Sequence, residues 1–406
     1  MIHFENTQIA FADKTDKELK KALFLFSCIR YPRLTRLLTF LLPKLLKWNF
    51  PVEGFIRKTI FAQFVGGENM YDAGKLATSL YRRGVQAILD YGVEGGGASE
   101  KQKDDHSEKF IRAIEYSSEQ EAISFVSVKV SAFASMSLMQ KVNALMLEER
   151  GTLMARYQAA VSQLEEGELQ SWRLVEKRLH KVVAVASLRK TKVLVDAEES
   201  WIQEAIDGLV MLVMPYYNRS QAVVYHTVQL YRKDRLEFLK FVHQDALANE
   251  LVLGVKLVRG AYMEKERARA AAQGVECVVH ENKQDTDNDF NAALDYCLDH
   301  IQDMEVVLAT HNEESSLRAA ERLKTMEAEQ VGRRFHFSQL FGMSDHITFA
   351  LSKEGYAVSK YLPYGPVREV IPYLLRRAKE NTSVAGQTGR ELELIRKELK
   401  RRKHQQ

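Results

Sequence analysis

Arg376 and Arg377 stand side by side near the carboxyl end of a 406-residue chain, with Glu380 one helical turn beyond Arg376. Two adjacent guanidiniums hold a carboxylate with a fixed fork geometry that lysines lack. Read alone, the trio suits better a solvated helix face carrying an ordinary i,i+4 ion pair. Lys129 in FVSVKVS and Asp196 in KVLVDAE each interrupt an otherwise apolar strand. A buried charge is costly without a partner, so the two are expected to pair, either as a plain salt bridge or aimed together at a ligand. The run KLVRGAY places Lys256 three residues before Arg259, with Tyr262 beyond, a set suited to an electron-rich ring or a phosphate chain. His311 and Asn312 in ATHN and Gln339 in FSQLFGM add hydrogen-bonding groups. Singly each is a satisfied core polar group; on one rim they would describe a polar, cofactor-sized site.

The elements needed to bring them to one rim are legible. Eight short apolar segments end at Asp90, Lys129, Asp196, Gln229, Lys256 to Tyr262, His311, Gln339 and Tyr361, and a helix-like stretch follows each. That alternation predicts an α/β fold, a (β/α)8 TIM barrel whose strand carboxyl ends carry the chemistry. The barrel is expected over residues 84–385, after an N-terminal helical region at 1–83 and before a basic C-terminal helix or tail at 386–406. Helix-period stretches between Phe133 and Thr191 predict a helical insertion at about 134–190. The turn FVGGEN carries Glu68, and GVEGGGASEKQKDDH at 92–106 reads as a mobile loop on the rim side. PYGPVREVIPYLLRRAKEN opens with prolines, as a helix amino terminus does.

Composition narrows the class. Hydrophobic residues at 46% and charged ones at 28% exclude wholesale disorder and a membrane-spanning chain. A net charge of +4 is too mild to argue for nucleic acid. Three scattered cysteines without metal-ligand spacing predict a reducing, cytoplasmic setting and no metal. No GxGxxG, Walker, HExxH or CxxC motif occurs, so a dinucleotide would have to be held on strand ends. Acidic residues near the amino terminus fit no secretory or transit signal, and the mature chain is expected to begin at Met1. From Ala22 to Trp48 runs an apolar stretch bearing Arg30, Arg33, Arg36 and Lys44 and broken by Pro32 and Pro43. It is too charged to span a bilayer. It suits either a helix packed on the barrel or one lying in a membrane interface.

LVDAEE, GVKLVRGAY, ATHN, QLFGM and above all KYLPYGP followed by EVIPYLLRRAKEN resemble the proline dehydrogenase family, from about Phe64 to Val384. The likeness is to its monofunctional members and to the corresponding domain of bifunctional proline utilisation A enzymes; lysine at 256, where the bifunctional enzymes have arginine, favours the former. The chain ends soon after the doubly basic helix, without room for an aldehyde dehydrogenase domain, so the product is expected to leave this polypeptide. The resemblance implies a distorted (β/α)8 barrel with its last helix over the mouth, noncovalent FAD, oxidation of L-proline to Δ1-pyrroline-5-carboxylate and electron transfer to a quinone. It further implies that Arg376, Arg377 and Lys129 bind the proline carboxylate, that Tyr361 packs beside the ring and that Glu380 orients an arginine. Asp196 would belong to the network round Lys129 and the flavin, and Glu68 would pair with Arg376 in the absence of substrate. Gln229, Lys256, Arg259, Tyr262, Lys283, Thr286, His311 and Gln339 would line the flavin. Quinone reduction gives the basic apolar stretch a role as a peripheral attachment to the inner face of the cytoplasmic membrane. A lyase using Lys129 as a Schiff-base lysine, a hydroxyproline dehydrogenase and a noncatalytic scaffold remain as alternatives.

Overall fold

The computed structural model describes the chain apart from residues 1, 32–39, 43–44, 46–47, 49, 93–98, 328–330, 333, 384–386 and 406, and apart from the side chains of 379–383 and 387. The Glu380 side chain, residues 93–98 of the rim loop and much of the stretch 22–48 therefore lie outside what is described, while the last residues of that loop segment, from Glu100, already belong to a helix.

Eight parallel strands, β1 (Val85–Tyr91), β2 (Ile123–Val128), β3 (Lys192–Val195), β4 (Val224–Gln229), β5 (Leu253–Val258), β6 (Met304–Ala309), β7 (Phe335–Leu340) and β8 (Val358–Tyr364), close into a barrel in chain order. Each coincides with one of the eight apolar segments. Parallel strands buried on both faces read as near-continuous apolar runs, which is why these were visible. The helices used below are α1 (Asp16–Ile29), α2 (Met70–Tyr81), α3 (Glu100–Ser118), α4 (Met136–Glu148), α5 (Leu153–Ser162), α6 (Glu166–Leu188), α7 (Ser200–Tyr217), α8 (Arg235–Ala248), α9 (Met263–Gln273), α10 (Lys283–Asp299), α11 (Glu313–Lys324), α12 (Asp345–Lys353), α13 (Val367–Ser383) and α14 (Gln387–Lys403).

Internal packing divides the chain into two compact units, residues 1–93, 311–317 and 337–406, and residues 94–310 and 318–336. In the first, β8 pairs with β1 in the register Ile88 to Tyr361 and with β7 in the register Leu340 to Tyr361. Its core is built by the two ends of the chain. Leu19, Phe26 and Ile29 of α1 share one apolar cluster with Val367, Val370, Ile371 and Leu374 of α13 and with Leu392 and Ile395 of α14. The α13 residues recur at i, i+3, i+4 and i+7, the spacing of one buried helix face. Full burial of each such side chain is worth about 1.5–3 kcal/mol. Of the two expectations for 386–406, a basic helix or a tail, Gln387–Lys403 is a helix, and it contributes to the core. No helix among the described residues is long and apolar enough to cross a membrane.

In the second unit, β2, β3, β4 and β5 run in unbroken register, with Val128 opposite Val195 and Thr227 opposite Lys256. Behind β4, Arg235 of α8 meets Asp207 and, at 2.7 Å, Glu204, both on α7, and His226 of β4 meets Asp207 at 2.8 Å. This buried ion network ties α7 and α8 to β4.

Candidate active site

In the second unit the strand ends carry a charged cluster. Lys129 follows β2 directly and Asp196 follows β3, whose N–H donates to Val128 O at 2.9 Å and so continues the strand pairing by one residue. The pairing sets the two side chains together, Lys129 Nζ lying 3.5 Å from Asp196 Oδ2. Asp196 Oδ1 accepts in addition from Lys256 Nζ on β5. All three are buried. One carboxylate bridging two ammonium groups holds both in place, and the attraction offsets part of the cost of burying the three charges.

Glu198, two residues past Asp196, is a member that the sequence reading passed over. Its carboxylate accepts from Ser131 N–H at 3.0 Å and from Ser131 Oγ. Its own N–H donates to Gln203 Oε1 at 2.7 Å, and its carbonyl accepts from Gln229 Nε2 at 3.0 Å. It therefore ties together the ends of β2, β3 and β4. Burial pushes its carboxyl up to about 7, against the opposing effect of the Ser131 hydrogen bonds. The signal available in the sequence was the second acid of LVDAEE, but an acid after a strand is by default solvated. Gln229 keeps its Oε1 buried with no hydrogen-bond partner.

Farther along the same unit, Arg259 donates to Asp287 at 2.7 Å and to Thr310 Oγ1 at 2.7 Å, and its guanidinium lies 4.0 Å from the Phe290 ring centre. Lys283 pairs with the same Asp287, and Thr286 is buried on the first turn of α10, which Asn282 caps through Asp285 N–H. Hydrogen bonds and charge from Lys283 and Arg259 keep the Asp287 carboxyl below its ordinary range despite burial. Tyr262 is buried at the head of α9, its ring 5.5 Å from Lys265 Nζ.

In the first unit, Arg376 and Arg377 sit on α13, which Tyr91 anchors through Glu369 at 2.8 Å. Arg377 is only 8% exposed, with its guanidinium 5.2 Å from the Tyr373 ring centre, and Arg376 is half-buried. The burial of Arg377 does not fit a solvated helix face. Tyr361 is half-buried on β8, and Lys360 beside it is fully buried with its Nζ 2.8 Å from Asp345. The FVGGEN turn is pinned to the end of β8, Gly66 N–H donating to Pro363 O at 2.7 Å and Gly365 N–H to Gly67 O at 3.0 Å. Glu68 in that turn is held by Arg57 at 2.5 and 3.2 Å, where the resemblance had assigned it to Arg376. His311 lies between Ser344 Oγ at 2.9 Å and Leu340 N–H at 3.4 Å, and Gln339 Oε1 accepts from Thr348 Oγ1 at 2.8 Å. No group of metal-ligating side chains occurs among the described residues.

Comparison with known proteins places the chain in a family and a fold. The family model described as proline dehydrogenase matches residues 73–390. The chain is 36% identical over 350 residues to the carbapenem antibiotics biosynthesis protein CarD of Pectobacterium carotovorum subsp. carotovorum, covering 86% of each. It is 31% identical over 378 residues to proline dehydrogenase 1, mitochondrial, of Arabidopsis thaliana, covering 86% of this chain and 76% of that one. To the hydroxyproline dehydrogenase of Xenopus laevis it is 30% identical over 418 residues, covering 97% and 88%. The structure of proline utilization A from Bdellovibrio bacteriovorus inactivated by N-propargylglycine superposes with a TM-score of 0.71 at 20% identity, which speaks for the fold; the match spans 97% of this chain and 44% of that one.

Proposed function

Because the chain belongs to the proline dehydrogenase family, we propose that it binds FAD, oxidises L-proline to Δ1-pyrroline-5-carboxylate and passes the electrons to a quinone. Family membership apart, the observation that best supports the reading is the buried Lys129, Asp196 and Lys256 cluster on three strand ends. The residues present also fit a flavin. Gln229 Oε1, buried and without a partner, suits a ring N–H donor. Lys283 and Thr286 on the first turn of α10, with Arg259, form a donor set suited to a pyrophosphate. Gln229, Lys256, Arg259, Tyr262, Lys283, Thr286, His311 and Gln339 are the residues that would hold FAD, which supplies when bound a two-electron acceptor for hydride from the substrate ring.

The chain's own contribution is orientation. Arg376 and Arg377 bind the proline carboxylate, with Lys129 assisting, and Glu380 orients one of the arginines. Tyr361 packs beside the ring. Asp196 fixes the ammonium groups of Lys129 and Lys256 by bridging them. Holding a small imino acid in one pose converts an encounter into an effectively unimolecular step, which accounts for most of what such a site must do. The likeness to a hydroxyproline dehydrogenase keeps hydroxyproline as a second substrate reading, against which the full-sized Tyr361 leaves little room for a ring hydroxyl.

The test is the absorption spectrum of the purified protein before and after anaerobic proline. A yellow protein bleached by proline, and less by hydroxyproline, supports the proposal; a colourless one that cannot be reconstituted with FAD removes it. Arg376→Met should raise the apparent KM for proline by about 100-fold while the flavin spectrum is retained, since losing one arm of a charged clamp costs about 2–5 kcal/mol. An unchanged KM removes the clamp.

A further inference from the structure

Ser344 departs from local expectation in two respects. It occupies the N-cap of α12, where a serine ordinarily turns its hydroxyl to a free N–H of the first turn, yet its side chain makes no such bond. Its backbone is left-handed, at φ 53° and ψ 40°, a conformation that strains a residue with a Cβ. Both costs are met by groups distant in sequence. Ser344 N–H donates at 2.5 Å to Glu391 Oε1, a buried carboxyl on α14. Ser344 Oγ, released from capping, lies 2.9 Å from His311 Nδ1.

The opposite side of the imidazole settles who donates. Leu340 N–H points at His311 Nε2 at 3.4 Å, and a backbone N–H can only donate. Nε2 is then the acceptor, the neutral ring carries its proton on Nδ1, and that N–H donates to Ser344 Oγ. α14 grips the head of α12 a second time, since Arg390 meets Glu313 at 2.8 Å and Glu313 meets His346 at 3.0 Å.

We infer that Ser344 and Glu391 form a positioning pair: Glu391 holds Ser344 in its left-handed backbone, and the Ser344 hydroxyl fixes the tautomer and with it the ring plane of His311, whose face, both nitrogens being engaged, is what it offers the flavin. The inference rests on the proposed function, in which His311 is a flavin ligand. It makes α14 part of the site's support although no residue of α14 needs to touch a ligand.

Four variants of the full-length protein test it. Ser344→Ala removes the hydroxyl, and Ser344→Gly removes it while relieving the backbone. Glu391→Ala removes the acceptor, and Glu391→Gln keeps one; because burial raises the Glu391 carboxyl, an amide is a close stand-in. The FAD dissociation constant should rise about 10-fold in Ser344→Ala, Ser344→Gly and Glu391→Ala, the scale of one buried hydrogen bond, and return to within about twofold of wild type in Glu391→Gln. Ser344→Gly should melt no lower than wild type, so that weaker FAD binding there is not a loss of structure. FAD binding by Ser344→Gly equal to wild type, or Glu391→Gln as weak as Glu391→Ala, overturns the pair. A wild type that binds no FAD overturns the proposed function instead. The ring-nitrogen NMR signals of His311 in flavin-free protein, assigned against His311→Gln, then still decide the inference. The Nδ1–H form in wild type, giving way to a mixture in Ser344→Gly, supports it; identical signals overturn it.

Discussion

Glu198 carries the sharpest prediction at the scale of single residues. The folded protein retains its proton up to about pH 7, whereas the ordinary value is 4.5, because burial disfavours the carboxylate more than the Ser131 hydrogen bonds favour it. The protonated form still satisfies its neighbours, donating to Ser131 Oγ while the other oxygen accepts from Ser131 N–H. An acid with a raised folded value stabilises the fold fully below the unfolded value, and the stabilisation is lost as pH rises through the folded one. Each tenfold difference in proton affinity is about 1.4 kcal/mol, so the loss between about pH 4.5 and 7 amounts to about 3 kcal/mol. Glu198→Gln, neutral at every pH, should flatten that part of the profile. Urea unfolding of both proteins from pH 4.5 to 8 measures it, and parallel curves would show that Glu198 is ionised throughout. The same scale exposes what residue types alone concealed. Lys129 and Asp196 pair as their interruption of apolar strands suggested, but Asp196 is also bridged to Lys256, a connection that skips a strand.

Among the elements, the loop between β7 and α12 bears the tightest backbone approach. Gly342 has φ +81°, and a Cβ there would lie 1.9 Å from Gln63 O, whose side chain in turn donates to Gly342 O at 2.8 Å. Nothing larger than hydrogen fits, and the left-handed backbone adds strain for any other residue. Gly342→Ala should therefore cost about 2–4 kcal/mol, read as a fall in melting temperature; an unchanged melt would mean that the loop does not close on residue 63. This loop leads into Ser344, so the element that carries Gly342 also supports His311. The strands and the doubly basic helix were legible because period and polar interruption are local properties. The role of α14 was not, since its basic, charged sequence hides Leu392 and Ile395 on one buried face.

For the whole molecule, the segment from Ala22 to Trp48 contains no acidic residue. Phe24, Tyr31, Phe40, Trp48, Phe50 and Phe55 are 58–72% exposed, while Phe26 and Ile29 of the same region are core. Both expectations for the segment thus have a physical basis in different residues. Exposed aromatics beside arginine and lysine suit an anionic bilayer surface, the surroundings a quinone acceptor would require. Deleting the region would remove core side chains, so the informative variant is Phe24, Tyr31 and Trp48 changed together to serine. Flotation with anionic vesicles should recover the wild type and lose this variant, with binding weakened by salt; equal recovery would remove the membrane role.

Sequence by itself determined the barrel, the order of its strands and which residue types stand at the strand ends, because alternation of apolar runs with helical periods is written within a few residues. It also determined the adjacent arginines that a carboxylate would need. Tertiary structure decided which carboxylate serves which lysine, that Glu68 goes to Arg57, that Glu198 is buried enough to hold a proton, and that a serine abandons its helix cap for a histidine 33 residues earlier. Those outcomes depend on burial and on distances between segments remote in the chain, and neither quantity exists until the chain has folded.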